Sequence, residues 1–198
     1  MQIFNWCGKA GSHIIYLSSS NVYGDQKESK IPETAALKPG TIYGVCKVAC
    51  EQWLQIFGHG LGLSWTVLRP FATYGPGHRP SLDQGIVNIL LTQLLNGERI
   101  IVKGSLMRLR DLTYVEDMAN AIVQMLFCKA AIGGVFNIGS GVAVTINDII
   151  KRLCDALNKP ISGIKIIEEA GTAGDSFSNV ADISQIKKML NFKPKFGL

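Results

Sequence analysis

Short apolar runs and longer amphipathic stretches take turns along nearly the whole chain, and that alternation limits the fold more than any other feature. The runs "HIIYLS" (13–18), "SWTVLRP" (64–70), "RIIVKG" (99–104), "RDLTYV" (110–115), "GGVFNIG" (133–139) and "IKII" (164–167) have the length and β-branched content of strands. Helical patterns lie between them. Residues 2–10 place Ile3, Trp6, Cys7 and Ala10 on one stripe, with Gly11 as the stop. Residues 41–57 place Val45, Val48, Ala49, Trp53 and Phe57 on another, and the glycines of "GHGLG" (58–62) are read as the helix stop and a turn. Helices are also expected for "LDQGIVNILLTQLLNG" (82–97), "EDMANAIVQMLFCK" (116–129), "TINDIIKRLCDALN" (145–158) and "DISQIKKML" (182–190). The third of these opens with Thr145 and Asp148 in capping-box spacing. Strands separated by helices imply βαβ units, so the expected class is α/β with a largely parallel sheet.

In such sheets a ligand sits beyond the carboxyl ends of the strands. Both "YLSSS" (16–20) and "VLRPFATYGPG" (67–77) put polar or glycine-containing loops at that edge, where they can face one crevice.

Bulk properties narrow the function classes. With 198 residues and 47% apolar content, the chain can bury one sizeable core, or a core and a small lobe. No run approaches the ~18 apolar residues of a membrane span, and "MQIFNWCGKAGSH" lacks the pattern of a signal peptide, so a cytoplasmic protein without membrane partners is expected. The net charge of +5 comes from basic residues spread along the chain, which argues against nucleic acid as a partner. Five cysteines at irregular spacing fit reduced thiols. Cys46 and Cys50 lie one helical turn apart, but without a completing ligand they read as small core residues, and no metal is expected. His13, His59 and His78 are scattered and receive no role.

One pair can do chemistry. "TIYGVCK" (41–47) puts Tyr43 and Lys47 four residues apart on one helix face. An ammonium held beside a phenol favours the phenolate, the form that acts as a general base. A serine at the end of the neighbouring strand could share a substrate hydroxyl with it, which suits alcohol and ketone interconversion if a hydride acceptor lies alongside. Alone, Y-x-x-x-K is a common coincidence.

The order of motifs is more specific. The serine strand, "VYGD" (22–25), Y-x-x-x-K, "LRPFATYGPG" (68–77), "RDLTYVED" (110–117) and "FNIGSG" (136–141) follow one another, and "VADISQIKKMLNFKP" (180–194) closes the series. In this order they resemble the extended short-chain dehydrogenase/reductase family, the NAD-dependent sugar epimerases and dehydratases. The resemblance implies a Rossmann-type sheet with a smaller α/β substrate lobe. It implies that Ser19 is the catalytic serine, Tyr43 the base, and Lys47 the residue that keeps the tyrosine anionic and holds the nicotinamide ribose. Ser18, Pro70 and Phe71 would join Tyr43 and Lys47 in contacting NAD or NADP. Ser20, Asn21 and Ala72 would face a nucleotide-sugar substrate, and Arg110 would pair with its diphosphate. The alternatives for Arg110 are a solvated strand residue or a partner for Asp111. The resemblance also allows a homodimer through the Tyr43 helix.

Several positions depart from the family pattern. The glycine-rich G-x-x-G-x-x-G loop and the acidic residue that follows it are absent from the sequence, so weak or no NAD binding is expected. "GHGLG" cannot replace the loop, because it follows a helix and precedes a strand; "NIGSG" is read as a structural loop. The expected layout is therefore an N-terminally truncated dinucleotide-binding part, residues 1–76 with 108–138 returning to it, and a substrate lobe from 77–107 and 139–198. The strand "HIIYLS" should then carry an open apolar edge that promotes self-association. Ser20 and Asn21 stand where 4,6-dehydratases have an acidic pair, which disfavours that reaction. Ala72 replaces an asparagine, Thr172 a second diphosphate-binding arginine, and Cys46 a serine. The resulting expectation is a nucleotide-sugar 4-epimerase, with a 4-keto reductase and a non-catalytic truncated remnant or binding or dimerisation module as alternatives.

Overall fold

The computed structural model describes residues 2–81, 84–97, 99–172 and 174–198, and the elements named here are those of the described residues. Helix α1 (Gln2–Lys9) leads into strand β1 (His13–Leu17), and α2 (Ile42–Leu61) into β2 (Ser64–Pro70). Strand β6 (Val135–Ile138) completes a parallel sheet in the order β1-β2-β6. Central β2 is buried from Trp65 to Arg69, which explains its near-continuous apolar run. Its alternating side chains serve two cores. Trp65 and Val67 pack with Cys7 and Leu54 beneath α1 and α2, whereas Leu68 packs with Val22, Met118 and Phe136 on the other face. Among the described residues β1 has β2 as its only partner strand, and Leu17 at its end is exposed.

A second sheet gathers around β5 (Leu109–Tyr114). It pairs in parallel with β3 (Ala72–Tyr74) and β9 (Ser178–Asn179) and antiparallel with β7 (Ala143–Thr145). Strands β4 (Arg99–Lys103) and β8 (Lys165–Glu169) form a parallel pair. They share a core with α3 (Ile86–Asn96) and α5 (Ile146–Ala156). Helix α4 (Val115–Leu126) and α6 (Ser184–Leu190) cover the first sheet. The mixed α/β class with parallel sheets is as expected; the three-residue strands β3 and β7 and the two-residue β9 have no sequence signal, being too short for periodicity.

Local chemistry explains most element ends. Thr145 and Asp148 form the expected capping box on α5, with the Thr145 hydroxyl accepting from the Asp148 amide at 3.0 Å. Helix α2 does not stop at Gly58. It runs on to Leu61 and ends at Gly62, whose φ of 65° is left-handed. Within the helix Gly58 makes room for Trp65: a Cβ there would meet the indole nitrogen at 2.3 Å. The first part of the predicted 82–97 helix, Leu82 and Asp83, lies outside the described residues.

Two predicted faces are corrected. On α1, Ile3 and Trp6 are about two-thirds exposed (70% and 68%) and Cys7 is the buried residue. On α2, Val45 and Trp53 face outward while Gly44, Glu51 and Leu54 are buried. An acidic residue goes inside because Arg69 of β2 meets it there. Arg69 donates to both Glu51 carboxylate oxygens, at 3.0 and 2.6 Å, and to the Tyr23 hydroxyl at 2.9 Å; Tyr23 in turn donates to Asn137 Oδ1 at 2.6 Å. Cys46 is exposed and Cys50 half-buried, so neither is a core residue.

Candidate functional site

The end of β1 sends its three serines to three different environments. The Ser18 amide continues the ladder to the Leu68 carbonyl at 2.7 Å, and its buried hydroxyl has no hydrogen-bond partner among the described residues. Ser19 turns the chain into a short 3-10 turn (Ser20–Val22), its hydroxyl accepting from the Asn21 amide at 3.2 Å. Ser20 is buried, and its hydroxyl accepts from Asn179 Nδ2 at 3.0 Å across the molecule. Asn21 is exposed.

Helix α2 abuts this turn. Thr41 caps it, the hydroxyl accepting from the Gly44 amide at 3.1 Å. Gly44 is obligatory for the close approach: a Cβ there would lie 2.5 Å from the Asn21 carbonyl oxygen. Tyr43, next to that contact, is 52% exposed. Lys47 donates to the Leu17 carbonyl at 2.7 Å, with its ammonium 5.5 Å from the centre of the Tyr43 ring and 5.0 Å from that of Tyr16. Burial, then a hydrogen bond with Cys50, pushes the Tyr16 phenol up, so Tyr16 stays neutral beside the ammonium.

A cleft of about 1020 Å³ is lined by the Ser19 turn, the start of β3, helix α3, strand β4, Arg108 and Arg110. It brings together Ser19, Ser20, Asn21, Pro70, Phe71, Ala72 and Arg110 from the predicted set. Ser18, Tyr43 and Lys47 are not among its lining residues; they stand behind the serine turn, at the junction of β1 and α2. A second cavity, about 760 Å³, lies between β7, α5 and residues 194–198 and holds none of the predicted residues.

Arg110 is neither solvated nor paired with Asp111. It is 8% exposed and donates to Asp175 Oδ1 at 2.7 Å and to the Leu109 and Ser176 carbonyls at 2.8 and 3.1 Å. Asp111 is fully buried and accepts from the Ser140, Gly141 and Ala181 amides at 2.6, 2.9 and 3.1 Å, which makes "NIGSG" a loop anchored on a carboxylate. Sequence reasoning missed Arg108, which lines the same cleft and pairs with the other oxygen of Asp175. Arg108 lies one residue before β5 and outside the predicted strand, so strand alternation did not mark it. Asp175 and Asn179 carried no signal either, because their partners are more than sixty residues away.

Comparisons with known proteins bear on the family and the fold. The model of the NAD dependent epimerase/dehydratase family matches residues 1–139. An uncharacterized UDP-glucose epimerase, YtcB of Bacillus subtilis, is 30% identical over 93% of this chain and 56% of its own length. The dTDP-4-dehydro-6-deoxyglucose reductase of Escherichia coli is 32% identical over 78% of this chain and 48% of its own. The chain thus spans about half the length of these curated relatives. The structure of UDP-glucuronic acid 4-epimerase from Bacillus cereus, in complex with UDP-glucuronic acid and NAD, superposes with a TM-score of 0.91 at 28% identity, covering 99% of this chain and 61% of that one. With the family model matching well over half of its residues, the chain belongs to the NAD dependent epimerase/dehydratase family.

Proposed function

We propose that this chain carries the catalytic residues and the substrate cleft of a nucleotide-sugar 4-epimerase that works through a 4-keto sugar. The observation that carries the reading is the cleft itself, whose lining holds the Ser19 turn together with the buried guanidinium groups of Arg108 and Arg110. A sugar against the serine turn and its diphosphate against the guanidiniums would match that lining. In this reading Ser19 holds the oxygen at C4 and Tyr43 takes and returns its proton, with the Lys47 ammonium 5.5 Å from the Tyr43 ring centre. Pro70 and Phe71 wall the cleft and exclude water. Tyr43 and Lys47, both partly exposed at the end of β1, suit the hydroxyls of a nicotinamide ribose. NAD, when bound, supplies the hydride acceptor and donor. The described residues include no glycine-rich turn for its phosphates, so the proposal includes weak NAD affinity for this chain.

A 4-keto reductase is the second reading, favoured by the likeness to the Escherichia coli reductase. The two divide on redox balance. Incubated with NAD and sugar nucleotides, an epimerase interconverts C4 epimers in a coupled assay with no net NADH, whereas a reductase consumes reduced cofactor with a 4-keto sugar. Tyr43→Phe should lower either activity about a hundredfold or more; full activity in that variant defeats both readings. Binding without turnover would support the non-catalytic module instead. The outward face of α2, with Ile42, Val45, Trp53 and Ile56 exposed, supports a homodimer through this helix. Sedimentation should then show Ile56→Glu shifting a dimer to monomer.

A further inference from the structure

Arg108 and Arg110 divide one carboxylate between them. Asp175 accepts from Arg110 through Oδ1 at 2.7 Å and from Arg108 through Oδ2. The remaining contacts of both guanidiniums go to backbone oxygens: Arg108 donates to the Lys103 and Ser105 carbonyls, and Arg110 to those of Leu109, Ser176 and Phe177. Carbonyls orient a guanidinium without neutralising it. Two cations, 7% and 8% exposed, therefore share a single negative charge. An uncompensated buried charge is costly, and the shared Asp175 side chain is itself 38% exposed, where a ligand can compete with it.

The wider cleft has the same imbalance. Its described lining carries Arg99, Lys103, Arg108 and Arg110 against Glu169 and Asp175. Burial, followed by opposing effects of Asp175 and Arg108, leaves the Arg110 guanidinium below its ordinary value, so the two arginines feel each other's charge. The seat of Arg108 is also shaped for it. Gly104 has a φ of 84°, and a Cβ there would come within 3.0 Å of the Arg108 Cζ.

We infer that Arg108 is a second anion-binding guanidinium of the cleft, acting beside Arg110 on a diphosphate, and that Asp175 is the internal carboxylate that keeps the two in register until the diphosphate displaces it. One carboxylate already presents one oxygen to each guanidinium. A diphosphate reproduces that pattern with one phosphate per arginine and brings the negative charge that is scarce in the described lining of the cleft. The inference rests on the nucleotide-sugar reading and adds to it a residue and a displacement step.

Calorimetric titration of the whole chain with UDP, inorganic pyrophosphate and uridine tests it. UDP and pyrophosphate should bind to the same site. Arg108→Gln should weaken both about tenfold, the worth of one charge-assisted hydrogen bond, and leave uridine unchanged. Asp175→Asn should tighten both by about fivefold, because the competing carboxylate is gone. If Arg110→Gln weakens UDP and Arg108→Gln does not, the role of Arg108 is refuted while the nucleotide-sugar reading survives. If neither UDP nor pyrophosphate binds the native chain, both fall. Should Arg108→Gln fail to fold, Asp175→Asn decides: tighter binding supports the inference, and weaker or unchanged binding overturns it.

Discussion

Arg69 and Arg110 are both buried arginines at or near the end of a strand, and they are balanced in opposite ways. Burial works against each charge. At Arg69 the bidentate Glu51 and the Tyr23 hydroxyl outweigh it, and the guanidinium is held above its ordinary value. At Arg110 burial prevails, because Asp175 must also serve Arg108. The first arrangement is closed and neutral: one arginine to one carboxylate, both under 6% exposed, with a further donor-acceptor step to Asn137. The second is open and short of negative charge. A closed ion pair ties β2 to α2 and to the Tyr23 loop. An open one leaves electrostatic capacity for something that arrives later.

Removing one partner from the closed pair should have the largest effect. Glu51→Gln leaves the Arg69 charge buried and unpaired, and the expected loss is about 3–5 kcal/mol in urea or thermal unfolding. A loss under about 1 kcal/mol would erase the contrast between the regions. Tyr23→Phe comes next. Burial pushes this phenol up to about 12, against the pull of Arg69, and its hydroxyl is a hub between Arg69 and Asn137. Deleting it should cost about 1–3 kcal/mol by the same measurement, since two buried groups each lose a partner.

In the open region the same kind of change should cost less. Asp175→Asn leaves two buried guanidiniums without their carboxylate, but that side chain is 38% exposed and solvent screens its pairs, so a loss of roughly 1–2 kcal/mol is expected. A shift as large as that of Glu51→Gln would make the arginine pair a structural clamp.

The smallest effect concerns pH. His13 bridges β1 and β2, its Nδ1 2.7 Å from the Ser64 hydroxyl and its Nε2 3.2 Å from that of Thr66. Burial lowers its affinity for a proton below the ordinary 6.5. The neutral ring is the form the fold favours, so its contribution is complete above 6.5 and declines as the pH falls through the lowered value. Melting of the native chain should therefore lose more on acidification than melting of His13→Gln. An identical slope would show that His13 does not sense the fold.

Much of the fold was legible because it depends on neighbours in sequence. The Thr145–Asp148 capping box and the apolar run of β2 are local patterns, and both appear where expected. Helix length was less legible. Gly58 reads as a stop, yet in the fold it is the gap that Trp65 fills. The α2 stripe misled for a related reason: hydrophobicity placed Val45 and Trp53 inside, whereas the arginine on β2 draws Glu51 in. In the candidate site, the serine turn and the loop after β2 were recognisable as motifs and do share a cleft. The setting of Tyr43 and Lys47 behind the turn, off the cleft lining, follows from how Gly44 lets α2 approach Asn21.

By itself the sequence determined the alternation of strands and helices, the helix caps, and the ordered motifs that mark the family, since each depends on residues within a turn or two of one another. Only the tertiary structure decided which acid meets which arginine. Glu51 goes to Arg69, Asp175 to both Arg108 and Arg110, and Asp111 to backbone amides and the Ser140 hydroxyl. The physical reason is that a buried charge is settled by whatever partner the fold brings within a few ångströms, and for Asp175 that partner lies 65 residues away along the chain.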